Sequence, residues 1–382
     1  MIKRAQKRIL LSVPHMSGRE EKYVKEAFQS NWLSTVGPNL AALEQEFSTR
    51  IGLPCVALSS GTAGIHLGVR LMNIHPGDEV IVSTLTFAAT CNPVLYEQGV
   101  PVFMDSDYSS WNLDPQRLAD FLRQRAAVNR IPKAIIVVHI FGQSADMEPI
   151  LGLCREYGVR VIEDAAEALG ALYRDKPVGT MGDVGIFSFN GNKIITCSGG
   201  GMLASPDADL VARARFWSAQ ARDPGLNYLH SELGYNYRLS NVLAGIARGQ
   251  LEVLDERVAQ RRAIAARYQQ GLSDLAGFSF MPQAPYGLHT NWLSCGLIGP
   301  KEFGTDQPGL LRALDDANIE ARPVWKPLHT QKLYQKYECI GGAVAEDLNE
   351  RGICLPSSSS LSLEDQELII DVIRRTQASA LF

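Results

Sequence analysis

A lysine, Lys193, stands in the stretch FSFNGNKIITCSGGG (187–201), between an apolar run and a string of small residues. Most lysines are solvated, and a surface loop is the ordinary reading. The flanking residues are too small and too apolar for that. Burial disfavours the charged form of a lysine. The neutral amine that results is a nucleophile able to form a Schiff base.

Three other stretches carry chemistry that would match it. Asp164 ends the apolar run of VIEDAAEALG, and Ala165 and Ala166 leave room beside it. A carboxylate there suits a protonated ring nitrogen or a metal, and equally a helix N-cap. Glu167 lies one helical turn on and reaches the same crevice. Phe87, in STLTFAAT, has small neighbours that let its ring lie flat against a ligand. A core phenylalanine is the plainer alternative. SSGTAG (59–64) is a Gly-rich turn ahead of a helix, where backbone N–H groups and hydroxyls form an anion site or simply a cap.

Each signal alone is ambiguous. Together, a phosphate turn, an aromatic plate, a carboxylate for a pyridinium nitrogen and a reactive lysine are the parts that hold pyridoxal phosphate. The carboxylate keeps the ring nitrogen protonated, so that the ring takes up carbanion electrons. The lysine holds the cofactor and then shuttles the proton.

These residues need a frame. DEVIVSTLTFAAT, KAIIVVHIFG, VRVIEDAA and DVGIFSF read as strands of a covered parallel sheet, rich in Val and Ile without polar alternation. LDPQRLADFLRQRAAV and MEPILGLCREYG between them read as helices, giving an α/β unit with right-handed crossovers. Ligands in such sheets bind at the carboxyl ends of strands, where all four stretches fall. NVLAGIARGQLEVLDERVAQRRAIAARYQQGL reads as one long helical stretch leading out of this unit. Beyond it come HTNWLSCGLIG as strand, QPGLLRALDDANI as helix, and a last helix, SLEDQELIIDVIRRT, capped by Ser362. The expected organisation is a large α/β domain with the N-terminal segment over 1–250, then a connecting helix and a smaller α+β domain over 251–382.

Composition narrows the class. The 382 residues exceed one ordinary core, and a net charge of -4 argues against a dedicated nucleic-acid binder. Seven scattered cysteines without a C-x-x-C pair fit reduced thiols in the cytoplasm, not a disulfide framework or a zinc site. No metal site is expected. MIKRAQKRILLSV turns from basic to apolar, but the apolar part is short and ends at Pro14, unlike a secretion signal. No stretch approaches the length of a membrane span.

With these blocks in order, the chain resembles the DegT/DnrJ/EryC1/StrS family of pyridoxal-phosphate aminotransferases that act on nucleotide-linked keto sugars. The resemblance rests on WLSTVGPNLAALEQEF, SSGTAGIHL, GDEVIVSTLTFAAT, VHIFGQSADM, IEDAAEALGA, SFNGNKIITCSGGGM, GYNYRLSN and WKPLHTQ. SFNGNKIITCSGGGML, DSDYSSWNLDPQRL and ARGQLEVLDERV are most similar to enzymes making UDP-N-acetylbacillosamine. It implies a fold-type I aminotransferase, Lys193 and Asp164 as catalytic residues, and Phe87 stacked on the ring. Thr62, Ala63 and Ser188 would contact the phosphate. Asn236 would reach the phosphate of the neighbouring subunit, so that a homodimer shares its active sites. Glu167 stands where many relatives carry Gln or His near the ring hydroxyl. Trp32, Ser34, Thr35, Trp325 and His329 would face the substrate, with Arg238 and Lys326 as cations for its charges. Glutamate is the implied amino donor and a UDP-linked 4-keto sugar the acceptor. GDP-4-keto-6-deoxymannose is the alternative acceptor. A family dehydratase would carry histidine in place of Lys193, and a non-catalytic sensor would not hold the cofactor in reactive form.

Overall fold

A computed structural model describes residues 4–380; the first three residues of the basic N-terminal stretch lie outside them. The apolar runs form β1 (Cys55–Leu58), β2 (Glu79–Ser83), β3 (Val100–Met104), β4 (Ala134–Val138) and β5 (Arg160–Asp164), followed by Val184–Ser188 and Gly201–Ala204. Among the described residues they build an eight-stranded sheet in the order β1, Gly201–Ala204, Val184–Ser188, β5, β4, β2, β3, Cys339–Ile340. All neighbours are parallel except Gly201–Ala204, which is antiparallel to both of its own.

The lack of polar alternation has a direct cause. Ile135 and Val137 of β4 enter one core, while Ala134 and Ile136 enter the other. Ile81 and Val161 point to the first, and Val80, Val82 and Ile162 to the second. A strand buried on both faces has no polar side to show. Helices α1 (Glu20–Gln29) and α2 (Pro38–Ile51) precede β1; α3 (Gly61–Leu71), α4 (Ala88–Tyr96), α5 (Pro115–Ala127) and α6 (Met147–Tyr157) follow β1, β2, β3 and β4 in the chain, and α7 (Ala208–Ser218) follows Gly201–Ala204. Each capped start has a local reason: Ser60 Oγ accepts the N–H of Ala63, and Asp114 that of Gln116.

A four-stranded antiparallel sheet, ordered Phe278–Phe280, Ser294–Ile298, Gly352–Leu355, Arg322–Pro323, forms the second unit. Tyr268, Leu310, Ile369 and Val372 bring helices onto its core. The last helix, Leu363–Ala380, begins as expected, with Ser362 Oγ accepting the N–H of Asp365. The chain crosses between the units at both ends. Ala5 and Ile9 belong to the second core, and Cys339–Ile340 extends the large sheet.

The stretch from Asn241 to Leu272 is two helices, not one: α8 (Asn241–Leu251) and α9 (Leu254–Leu272), with the break at Val253. Helix α8 is drawn against α1 (Glu20–Gln29), where Gly249 leaves room for the backbone of Glu20. Helix α9 turns from there to the second core.

Candidate active site

Thr62, Phe87, Asp164, Glu167, Ser188 and Lys193 line one pocket of about 290 Å³, with Trp325 on its wall. It opens at the carboxyl ends of β2, β5 and Val184–Ser188, where a parallel sheet delivers its loops.

Asp164 is the last residue of β5 and is only 5% exposed. Its Oδ2 accepts the hydroxyl of Thr90 at 2.7 Å, and its Oδ1 the N–H of Ala166 at 3.2 Å. Among the described residues no lysine, arginine or histidine pairs with it. It is therefore a buried carboxylate held by neutral donors and short of a cation, an unfavourable state unless a ligand supplies one. Its neighbour Glu163 points to the opposite face and is completely buried. Burial pushes the Glu163 carboxyl up, but His139 at 3.0 Å and the N–H groups of Gly179 and Gly182 outweigh it and hold the group low. This packing fixes the strand end that carries Asp164.

Lys193 lies in the loop between Val184–Ser188 and Gly201–Ala204, with its side chain 14% exposed. Its Nζ is 3.7 Å from Glu167 Oε1 and 4.2 Å from the centroid of the Trp292 ring. The Trp292 indole is pinned by a 2.7 Å bond to the carbonyl of Asn192, the residue before the lysine. An aromatic face and a carboxylate thus bracket the amine.

Glu167 Oε2 accepts the N–H of Phe141 at 2.8 Å. Phe141 is buried and left-handed, at φ 53°, an uncommon conformation for a bulky residue that the surrounding structure must enforce. Burial pushes the Glu167 carboxyl up, ahead of the Lys193 charge that pulls it down, and the nearby Asp164 adds to the rise. The Trp325 indole N–H also favours the charged form, although it completes no hydrogen bond of ordinary geometry.

The string of glycines after Lys193 has a steric reason. A Cβ on Gly201 would lie 2.6 Å from the nitrogen of Gly61 and from the carbonyl carbon of Ser60. A Cβ on Gly61 would sit 3.0 Å from Cβ of Ser188. The start of α3 is therefore packed directly on two strands, and its residues Gly61 and Thr62, with the cap Ser60, line the pocket at a helix N-terminus, where an anion is favoured. Ala63 does not line the pocket, and its N–H is given to Ser60 Oγ. Phe87 is 56% exposed, which removes the core reading, and its ring is 5.5 Å from that of Trp325.

The other expected residues lie elsewhere. Thr35, Asn236 and Arg238 line a separate depression of about 580 Å³. Arg238 donates to Glu44 Oε1 at 2.8 Å and to the carbonyl of Ala57. Trp32 and Ser34 are exposed on the adjoining loop, where their carbonyls accept from Asn241. His329 is engaged at both ring nitrogens, by Thr84 at 2.7 Å and Glu346 at 3.0 Å, and lines neither cavity. Lys326 lies in a groove of about 1090 Å³ that shares Trp325 and Asn192 with the Lys193 pocket. Sequence reasoning missed Thr90, Phe141 and Trp292. Only Thr90 had a local signal, its spacing of four from Thr86 around Phe87.

The residues present fit a phosphorylated pyridine aldehyde: an amine, a cation-deficient carboxylate, an exposed aromatic face and a helix start meet in one pocket. Comparison with known proteins agrees. The model of the DegT/DnrJ/EryC1/StrS aminotransferase family matches residues 14–374. EpsN of Bacillus subtilis (strain 168), named as a pyridoxal phosphate-dependent aminotransferase, is 49% identical over 372 residues, 96% of this chain and 95% of its own. GDP-perosamine synthase of Caulobacter vibrioides is 38% identical over 365 residues, 95% of this chain and 96% of its own. The crystal structure of the aminotransferase TlmJ from Streptoalloteichus hindustanus superposes with a TM-score of 0.90 at 30% identity, covering 97% of this chain and 99% of its own. The chain therefore belongs to the DegT/DnrJ/EryC1/StrS aminotransferase family, and it is a pyridoxal phosphate-dependent sugar aminotransferase.

Proposed function

We propose that the enzyme moves an amino group from glutamate to C4 of a nucleotide-linked 4-keto-6-deoxy sugar. The acceptor we infer is UDP-2-acetamido-4-keto-2,4,6-trideoxyhexose, giving the UDP-N-acetylbacillosamine precursor in the cytoplasm. The observation that carries the chemistry is that one pocket holds both a carboxylate without a cationic partner, Asp164, and the amine of Lys193.

Pyridoxal phosphate, when bound, supplies an aldehyde that exchanges amines and a ring that takes up carbanion electrons. In this reading Lys193 would hold the aldehyde end of the cofactor, and its free amine would move a proton at the reacting carbon. Asp164 would hold the proton of the ring nitrogen. Phe87 would cover one ring face. Ser188, Thr62 and the start of α3 would hold the phosphate. Glu167 faces the amine and would serve the ring hydroxyl.

A homodimer completes the proposal. Asn236, Thr35 and Arg238 do not reach the Lys193 pocket of their own chain, which supports their serving a partner's. The loop beside them presents Leu226, fully exposed at 100%, with Tyr228, Leu229 and Leu233, a surface suited to cover by a second copy. We also propose that the division near residue 250 separates a cofactor-binding unit from a smaller C-terminal one.

A second reading has its own support: the similarity to GDP-perosamine synthases favours GDP-4-keto-6-deoxymannose as the acceptor. A panel of purified 4-keto nucleotide sugars with glutamate separates the two. Amination of the UDP-linked acetamido sugar supports the first. Turnover of the GDP-linked sugar alone selects the second, and amination of neither contradicts both.

A further inference from the structure

Two threonines that the cofactor reading leaves unused line the same pocket beside Asp164. Thr90 Oγ1 is 2.7 Å from Asp164 Oδ2. A carboxylate has no proton to give, so the threonine donates. That consumes its single hydroxyl proton. The 2.7 Å contact between Thr86 Oγ1 and Thr90 Oγ1 must then run from Thr86 to Thr90. Both side chains are buried, at 4% and 1% exposure. The result is a chain of two hydroxyls polarised toward one anion.

The arrangement is unlike the usual use of threonine in a helix. Such a residue ordinarily bonds back to the carbonyl four residues earlier. Thr90 meets the hydroxyl of that residue instead, and spends its own proton on another element. The same turn carries the aromatic plate, since the N–H of Thr90 donates to the carbonyl of Phe87 at 3.1 Å. One helix start thus fixes both the exposed ring and the carboxylate opposite.

We infer that Thr90, backed by Thr86, is the positioning residue for Asp164: it fixes one carboxylate oxygen and so orients the group toward the ring nitrogen of a bound cofactor. This rests on the cofactor reading of the pocket. Thr90 itself does not touch the reacting atoms. Its removal leaves a buried anion with one donor fewer, and the loss appears in cofactor retention and in the protonation of the bound ring before it appears in turnover.

The test uses the full-length protein with Thr90→Val, Thr90→Ser and Thr86→Val. Cofactor-free protein is titrated with pyridoxal phosphate by absorbance, and the absorbance of the bound form is followed against pH. A hydrogen bond to a charged group is of a size that makes Thr90→Val weaken binding roughly tenfold or more, with an altered pH profile of the bound cofactor. Thr90→Ser keeps the hydroxyl and should stay within about twofold of the wild type, with Thr86→Val losing about threefold. A merely structural role would not give back the pH profile on replacing valine by serine. Wild-type affinity and absorbance in both valine variants would overturn the positioning role alone, whereas a wild type that takes up no pyridoxal phosphate would overturn the cofactor reading with it. Should Thr90→Val not accumulate as folded protein, Thr86→Val decides, and unchanged affinity there overturns the relay.

Discussion

The amine of Lys193 lies 3.7 Å from the carboxylate of Glu167, and not against Asp164, the other acid of the pocket. Two buried acids in one cavity are thereby given different conditions. Glu167 has a cation and a backbone N–H, and burial still pushes it up. Asp164 has neutral donors and no cation. Separated environments of this kind assign separate roles to like groups. The acid without a cationic partner among the described residues is the one suited to a cationic ring nitrogen.

Replacing Asp164 by asparagine keeps the shape and removes the charge. The variant should keep its fold and lose turnover by roughly 10²–10⁴-fold, the weight of a positioned proton-holding group. Steady-state kinetics with glutamate and the keto sugar measure this, and near-normal kcat would contradict the role.

Glu167 makes a prediction about pH. Its folded-state pKa lies above the ordinary 4.5 because burial disfavours the charge. Between the unfolded and folded values the folded chain holds a proton that the unfolded chain has lost. This residue's contribution to stability therefore falls as pH rises from about 4.5 through the folded value. Glu167→Gln removes the titration while leaving an acceptor for Phe141. The melting temperature of cofactor-free Glu167→Gln relative to wild type should rise with pH across that window and level off above it. A constant difference would contradict the assignment.

Gly201 tests the steric account of the glycine string. Its Cβ would meet backbone atoms of Ser60 and Gly61, which cannot swing aside. Gly201→Ala should destabilise the protein by about 1–3 kcal/mol and weaken cofactor binding together with it. Chemical denaturation and cofactor titration check both, and a neutral outcome would mean that the start of α3 is free to move.

Arg238 is bound to Glu44, and both side chains are largely buried. Glu44 also accepts from Arg215 and from the N–H of Ala57. Arg238→Met removes one of the two cations on Glu44 and should cost about 1–3 kcal/mol of unfolding free energy, as losing a partner of a buried charged group does. Unchanged stability with a raised KM would instead mark Arg238 as a substrate ligand.

Much of this site could be read from the chain, for a local reason. Asp164 and Phe87 end apolar runs, and strands buried on both faces announce themselves by composition. Thr90 was hidden because a threonine in a first helical turn has an ordinary local use. Trp292 is 100 residues from its partner Asn192, so nothing near either predicts the contact. Phe141 takes a left-handed conformation that its own side chain opposes, and only the N–H bond to Glu167 and the surrounding packing account for it. Cys339–Ile340 joins the large sheet through two residues, too few for a pattern. The break at Val253 follows from where α8 and α9 must dock, which the continuous helical pattern does not show.

The most direct measurement is reduction of the cofactor-loaded enzyme with borohydride, followed by peptide mapping. A pyridoxyl group on Lys193, absent from Lys193→Ala protein that has lost turnover, is the expected result. A label on any other lysine, or sugar amination at the normal rate by Lys193→Ala, would contradict the account.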